Sequence, residues 1–343
     1  MVNPGISGLK KRDYSARKMN LQRQKTNVAL LSVLSNTFLV VGKIVVGLMI
    51  NSIAIISEAI HSGMDLLAAI IAFIAVQISG KPADQSHPFG HGKAENLSGA
   101  IEALLIFTAA GWIIYESILK LIHPRHIDEP AWGIGIMFIS AVLNWIVSHL
   151  LFIVSNKTES IALEADAWHL RTDVWTSIGV MIGLGIIWFG DYFLPAVNFN
   201  WVDPVAALMV AVMILKAAYD LTIKSVRDLL DAGLEPAEEK KLRQMIATHD
   251  SQIRGFHNLR ARKSGGRRFI EFHILVNPAM SVNRSHKITD ELTLKIREIM
   301  PDSMITIHVE PCKSKCYPKC KAGCLVNRKP AMPPDTGKAA LDH

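Results

Sequence analysis

Six apolar stretches run through positions 27–50, 53–78, 97–122, 132–154, 161–189 and 202–223, each as long as the roughly 20 residues a helix needs to cross a bilayer. With half of the residues hydrophobic and only 20% charged, the composition argues against a disordered chain and against a purely soluble enzyme. The opening MVNPGISGLKKRDYSARK is charged and lacks a short apolar core with a small-residue cleavage site, so it is expected to stay in place and the first span to insert by itself.

Charge sets the expected orientation. Lys+Arg 37 against Asp+Glu 30 gives a net +7, and the excess crowds into the first 25 positions (Lys10, Lys11, Arg12, Arg17, Lys18, Arg23, Lys25) and the last hundred. This reads as a topology signal rather than as nucleic-acid binding. Lys81 and Lys93 lie between spans two and three and Lys157 between four and five, whereas 191–201 has no Lys or Arg. The N-terminus, these two loops and the C-terminal region are expected on the cytoplasmic side of the cell (inner) membrane. His123, Arg125 and His126 run against this pattern and are partly offset by Asp128 and Glu129; Trp132 and Trp201 fall at span starts, in the headgroup layer.

Beyond the last span the chain turns at Gly233 and Pro236 and becomes soluble in character. FIEFHILV alternates, with Ile270, Phe272, Ile274 and Val276 on one face and Phe269, Glu271, His273 and Leu275 on the other. Ile288, Leu292, Ile296 and Ile299 make a helical stripe, and 304–309 alternates again. The expected architecture is an all-α six-helix transmembrane domain plus a small α+β (αββαβ, ferredoxin/metallochaperone-like) cytoplasmic domain with one sheet face covered. The expected divisions are a basic N-terminal segment 1–25, the transmembrane domain 26–228, the cytoplasmic domain 229–312 and a flexible Cys-containing tail 313–343.

Span two contains Glu58, His61 and Asp65, and span five contains Asp166, His169 and Asp173, at the same i, i+3, i+7 spacing. Each trio shares one helix face. An ionisable group inside a membrane costs about 2.5–3.5 kcal/mol on insertion scales, so such groups face the bundle interior and mark ion or proton routes. The competing reading is a set of satisfied interior contacts, paired with Lys43 or Arg171. Two His-x-x-x-Asp pairs, however, supply four ligands of a tetrahedral site, and two imidazoles with two carboxylates suit zinc first, with cobalt, cadmium and ferrous iron next. Asp65 and Asp173 ionised beside neutral histidines carry −2, which a divalent cation neutralises. Protons and metal compete for the same imidazoles, which is the minimal machinery of an antiporter.

With the loop PADQSHPFGHGKAE at 82–95 the chain resembles the cation diffusion facilitator family of divalent-metal/proton antiporters. The resemblance rests on six spans, the motifs HSGMD and HLRTD, the loop HPFGHGKAE, Asp203-Pro204 at the start of span six and a C-terminal cytoplasmic domain, and covers about 22–312. It implies a transport site at His61, Asp65, His169 and Asp173, and His at the head of both motifs is similar to the zinc-selective branch. It implies a loop metal site at Asp84, His87 and His91, where solvated turn histidines are the alternative. It further implies cytoplasmic-domain ligands at or near His257, His273, His286, His308 and Glu310, with Glu310 standing where some members have Asp. Alternation by itself puts His273, His308 and Glu310 on the face away from the core; surface histidines at a dimer edge are the alternative reading.

Cys312, Cys316, Cys320 and Cys324 repeat every four residues and depart from the family pattern. Reducing conditions disfavour disulfides there, and thiolates favour zinc, cadmium or cuprous ions, so a local tail site is expected, against a disordered extension with incidental cysteines. The function expected is a homodimeric secondary transporter that exports zinc or a similar divalent cation (Cd2+, Co2+ or Fe2+) in exchange for protons, with the metal as substrate and regulator. No catalytic residue, catalytic cofactor or nucleic-acid partner is expected. The alternatives are a membrane-anchored metal sensor or scaffold, or a relative selective for iron, cobalt or cadmium; for a membrane metalloenzyme, clusters of adjacent histidines and a nucleophile motif are wanting.

Overall fold

The first span illustrates how the bundle is built. In α1 (Pro4–Met49), Leu30, Leu34, Phe38, Val41, Val45 and Leu48 are exposed, whereas Lys25, Ala29, Ser32, Asn36, Leu39 and Lys43 are buried. Both series step by three and four residues, so they are opposite faces of one helix. The apolar face is outside and the polar one inside, the reverse of a water-soluble helix and the arrangement a lipid surround favours. The computed structural model describes residues 4–49, 53–122, 130–193, 201–313 and 323–326. It divides into two compact units, Met1–Asp231 with Ser264–Gly266, and Ala232–Lys263 with Arg267–His343.

The first unit continues with α2 (Ile53–Ser79), α3 (Lys93–Ile122), α4 (Pro130–Thr158), α5 (Ile161–Phe193) and α6 (Val202–Leu229). Among the described residues α1, α2, α3, α4 and α6 are long and apolar enough to cross a membrane. The fifth expected span, α5, is 33 residues long but carries Glu164, Asp166, Arg171 and Asp173 in its first half. The expected basic segment 1–25 is not separate from span one: from Pro4 it belongs to α1.

The first half of α5 is buried nearly all round. Ala162, Leu163, Ala167 and Leu170 pack with Ala29 of α1, Ala75 and Val76 of α2, and Val147 and Leu151 of α4. On another side Ala165 packs with Ala103, Ile106 and Ala110 of α3 and Ile214, Ala218 and Leu221 of α6. Small residues let the helix backbones approach closely, which is the main source of packing when lipid offers no hydrophobic drive. At Gly99 of α3 an added Cβ would lie 2.6 Å from Ile161 and 2.7 Å from Ser225, so only glycine fits between α5 and α6.

The second unit has the order α7 (Pro236–Thr248), β1 (Gly255–Ser264), β2 (Arg267–Val276), α8 (Val282–Ile299) and β3 (Ser303–Pro311), the expected αββαβ. The sheet order is β1-β2-β3. β1 and β2 are joined at Gly265, whose φ of +57° suits glycine, and β2 and β3 are parallel, with His273 opposite His308. α8 makes that crossover. Its first turn is capped by Ser281, whose hydroxyl accepts from the Arg284 N–H. Ile288, Leu292 and Ile296 of α8 and Leu242, Met245 and Ile246 of α7 pack on Ile270, Phe272 and Ile274 of β2, so one sheet face is covered and the other is left for polar side chains.

At 323–326 the tail departs from expectation; 314–322 and 327–343 lie outside the described residues. The Phe256 N–H donates to the Gly323 carbonyl at 3.1 Å, the Leu325 N–H donates to the Arg254 carbonyl at 2.9 Å, and Cys324 bridges antiparallel to Gly255. Residues 323–325 therefore lie along the outer side of β1 rather than forming a free extension, held there by unspent backbone donors and acceptors of an edge strand.

Candidate metal centres

Among the described residues, three groups of ligand-type side chains each bring one ligating atom apiece to within 4.8 Å of one another: Asp65, His169 and Asp173; Asp84, His87 and His91; and His257, His273 and Glu310.

The first lies between α2 and α5. Asp65 is 5% and His169 7% exposed, and His169 Nε2 lies 3.2 Å from Asp65 Oδ1. The other ring nitrogen, Nδ1, is buried without a hydrogen-bond partner. Four residues, slightly more than one turn, separate His169 from Asp173, which puts both on the α5 face that meets α2. The side chain of His61 lies outside the described residues; its backbone is in α2, one turn before Asp65. Two carboxylates and an imidazole in an apolar interior are a costly arrangement without a cation, and oxygen with nitrogen donors suits borderline divalent ions. Of the interior pairing partners considered from sequence, Lys43 donates to Ser62 of α2 at 2.7 Å, and Arg171 stacks over the Phe152 ring at 5.5 Å.

The second group is in the turn between α2 and α3. Asp84 Oδ1 accepts from the Ser86 hydroxyl at 2.8 Å and from the His87 N–H at 2.6 Å. The Ser86 hydroxyl first, and then the His87 amide, hold the Asp84 carboxyl below the ordinary range. Gly90, at φ +86°, turns the chain. His91 Nε2 comes to 3.4 Å from Asp84 Oδ2, and the His87 and His91 ring centroids are 4.3 Å apart. His91 Nδ1 is buried with no partner, whereas His87 and Asp84 are exposed.

The third group uses the open face of the sheet, with one residue from each strand. His273 Nδ1 is 2.8 Å and His257 Nε2 is 3.1 Å from the two oxygens of Glu310, and His308 Nε2 is 3.7 Å from Oε1. Burial pushes the Glu310 carboxyl up, but the contacts from His273 and His257 outweigh it and hold it below the ordinary glutamate range. His257 Nδ1 is buried and unpartnered. Two imidazoles and a carboxylate are a donor set suited to borderline divalent ions.

One expected ligand is not brought in. His286 sits on the exposed side of α8, where Nδ1 pairs with Asp290 at 3.1 Å. α8 covers the apolar sheet face, so His286 is on the far side of the sheet from His257, His273 and Glu310 within one chain. In the tail Cys312 and Cys324 are free thiols, both half-buried, and neither belongs to a ligand cluster among the described residues; Cys316 and Cys320 lie outside them.

Sequence reasoning passed over two interior groups. Glu102 on α3 is fully buried, and Glu95, 1% exposed, accepts at Oε1 from Lys25 at 2.8 Å and from the Ser79 hydroxyl at 2.5 Å, while Ser160 binds its other oxygen. The signal was present, since Glu95, Ser98 and Glu102 share one face of α3.

Comparison with known proteins agrees with this organisation. Residues 29–230 match the family model described as the cation efflux transmembrane domain, and residues 234–312 match that of the cation efflux protein cytoplasmic domain. The chain is 35% identical over 261 residues, 76% of its own length and 82% of the relative's, to the uncharacterized transporter sll1263 of Synechocystis sp.. It is 30% identical over 262 residues, 76% of its length and 84% of the relative's, to the cation-efflux pump FieF of Salmonella newport. A solved chain of CzrB in its Zn form is 31% identical, covering 25% of this chain and 96% of that one with a TM-score of 0.24. A helical membrane region followed by a three-stranded α+β domain, matched in that order by both models, means that this chain is a cation diffusion facilitator, a membrane protein of the cation efflux family.

Proposed function

We propose that the chain works as a homodimeric secondary transporter that moves zinc, or a closely similar divalent cation, out of the cytoplasm in exchange for protons. The observation that carries this is the convergence of Asp65, His169 and Asp173 from α2 and α5 within 4.8 Å in the apolar interior, with His61 one turn from Asp65 as the fourth ligand. The ionised pair of aspartates attracts the cation, and the imidazoles supply nitrogen donors that must be neutral to bind it, so proton and metal exchange on one set of atoms. Alternate opening of the bundle to either side then couples the two flows. On this reading both termini and the 80–92 turn are cytoplasmic, in the cell membrane, and the chain is a transporter and not an enzyme.

The cytoplasmic cluster of His257, His273 and Glu310, with His308 beside it, holds metal as a regulator. Bound ion favours whichever arrangement of two cytoplasmic domains binds it better. The Asp84, His87 and His91 turn is a second accessory site, and the tail cysteines capture metal off the transport path.

The test is flux into sealed proteoliposomes containing the purified protein, with Zn2+, Cd2+, Co2+ and Fe2+ compared with and without a pH gradient. Zinc uptake that rises with an opposing proton gradient is expected. Absence of flux for every cation would leave the sensor or scaffold reading in its place; flux indifferent to pH would remove the proton from the mechanism; and preferential flux of iron, cobalt or cadmium would reassign the substrate.

A further inference from the structure

Glu102 and Asp166 stand apart from all three ligand clusters. Both are fully buried, on α3 and α5, and their neighbours Ala103 and Ala165 belong to the same packed cluster between those helices. They lie within electrostatic reach of each other. The Ser98 hydroxyl donates to Glu102 Oε1 at 2.9 Å. Glu102 Oε2 and both oxygens of Asp166 lack a well-formed hydrogen bond, and the polar side chain that faces Asp166 is the buried Ser32 hydroxyl of α1. The charged groups facing the pair are His169 on its own α5 and Asp65 on α2; α6 contributes Ile214, Ala218 and Leu221 to the apolar cluster alongside. Neither carboxylate hydrogen-bonds His169, whose described bonds go to Asp65 and Thr172.

Two buried carboxylates within electrostatic reach of each other repel in such surroundings, and oxygens without a well-formed hydrogen bond forgo those they had in water. One proton relieves both problems, because a protonated carboxyl donates to a free oxygen nearby. The pair is also placed for exchange. Asp166 is one turn from His169, about 4.5 Å along the helix axis, and Glu95, Ser98 and Glu102, all buried, continue a polar file along α3 to its first turn.

We propose that Glu102 and Asp166 share one proton and release it when a divalent cation binds at Asp65, His169 and Asp173, so that the ligands carry only part of the exchanged protons. On binding, the cluster gains +2 and the pair goes from −1 to −2; the proton leaves along the α3 face to water at the end of the bundle where α3 begins. Its return re-forms the shared proton when the cation departs. This rests on the antiport reading above.

The experiment is equilibrium binding of Zn2+ to the full-length protein in detergent across a pH series, with proton release counted in the same titration. Signal from the other sites is removed by taking the part that Asp173→Ala abolishes. Glu102→Gln and Asp166→Asn each keep shape and lose the exchangeable proton, so each should release about one proton fewer per cation, and the slope of log Kd against pH should fall by about one. Unchanged proton release and slope in both variants would overturn the proposal. Should neither variant fold, infrared difference spectra of the wild-type protein decide: the carbonyl stretch of a protonated carboxyl must disappear on zinc binding, and its persistence overturns the proposal. If Asp173→Ala removes no zinc binding at all, it is the transport-site assignment that fails.

Discussion

Removing the counter-charge from Glu95 should destabilise the helical unit, because the charge left behind is buried. Lys25 Nζ and Glu95 Oε1 are 2.8 Å apart, with side chains 10% and 1% exposed. At an effective dielectric of about 20 that separation is worth about 6 kcal/mol of attraction before desolvation. The net quantity is smaller, since breaking a buried pair by deleting one partner costs about 3–5 kcal/mol, mainly as the stranded charge. In Lys25→Met the carboxylate keeps the hydroxyls of Ser79 and Ser160, which favours the lower end, about 3 kcal/mol. Glu95→Gln leaves an ammonium near an amide and should cost about as much. The double variant strands neither charge and should cost only about 2–3 kcal/mol, giving a coupling energy near 3–4 kcal/mol where independent sites give less than about 0.5. At about 2–4 °C per kcal/mol, each single variant should melt about 6–12 °C lower and the double no lower than either. Thermal melts of the purified protein in detergent, with the four proteins side by side, give the cycle. Additive losses would refute the argument, because they would mean that the four polar groups act separately instead of joining α1, α2, α3 and the start of α5.

Asp173→Ala should abolish flux in proteoliposomes while the protein elutes and melts close to wild type, because one charge leaves an interior that then holds less repulsion; wild-type flux would remove Asp173 from the transport site. Full-length Glu310→Gln should lose the zinc-dependent rise in melting of the cytoplasmic unit yet keep basal transport, measured as heat-induced exposure of a label in that unit, and an undiminished rise would show that His257 and His273 bind without it. Burial pushes the Glu238 carboxyl up, but Arg268 and Lys263 pull it below the ordinary glutamate range; a depressed folded value contributes stability above the unfolded pKa of about 4.3 and loses it as pH falls through the folded one. Glu238→Gln should therefore lower stability at pH 7 by about 1–3 kcal/mol, since Arg268 is buried, and converge on wild type in acid, whereas a constant offset down to pH 3 would deny the ion pair its role. Finally, a Cβ on Gly323 would lie 1.7 Å from the Phe256 carbonyl, so Gly323→Ala should free residues 323–325 and speed amide exchange at Phe256; unchanged exchange would contradict the docking.

Much of this was legible in the chain itself. The αββαβ order follows from alternation in 269–276 and 304–309 around the stripe of Ile288, Leu292 and Ile296, and the same alternation put His273 and Glu310 on one face, because a strand's side chains alternate by twos. What pattern could not supply was pairing between distant segments. His286 has the residue type and the neighbourhood in sequence, but lies on a helix that covers the opposite sheet face. Glu95 reads as a cytoplasmic loop charge until Lys25, seventy residues earlier, is found against it. Asp166 was visible in the α5 stripe, yet its significance depends on Glu102 from a different helix. The docking of 323–325 depends on an open strand edge and a residue without a side chain, neither of which leaves a periodic trace.

The backbone lying along β1 also limits how two copies of the soluble unit meet. With Phe256 donating to Gly323 and Leu325 donating to Arg254, the start of that edge has spent the groups by which a neighbouring copy would extend the sheet. Two cytoplasmic units cannot therefore join into one continuous six-stranded sheet through this end of β1. Their contact has to avoid this end of β1, and one alternative is the outer edge of β3, which carries His308 and Glu310, where any pairing would lie directly beside the histidine cluster.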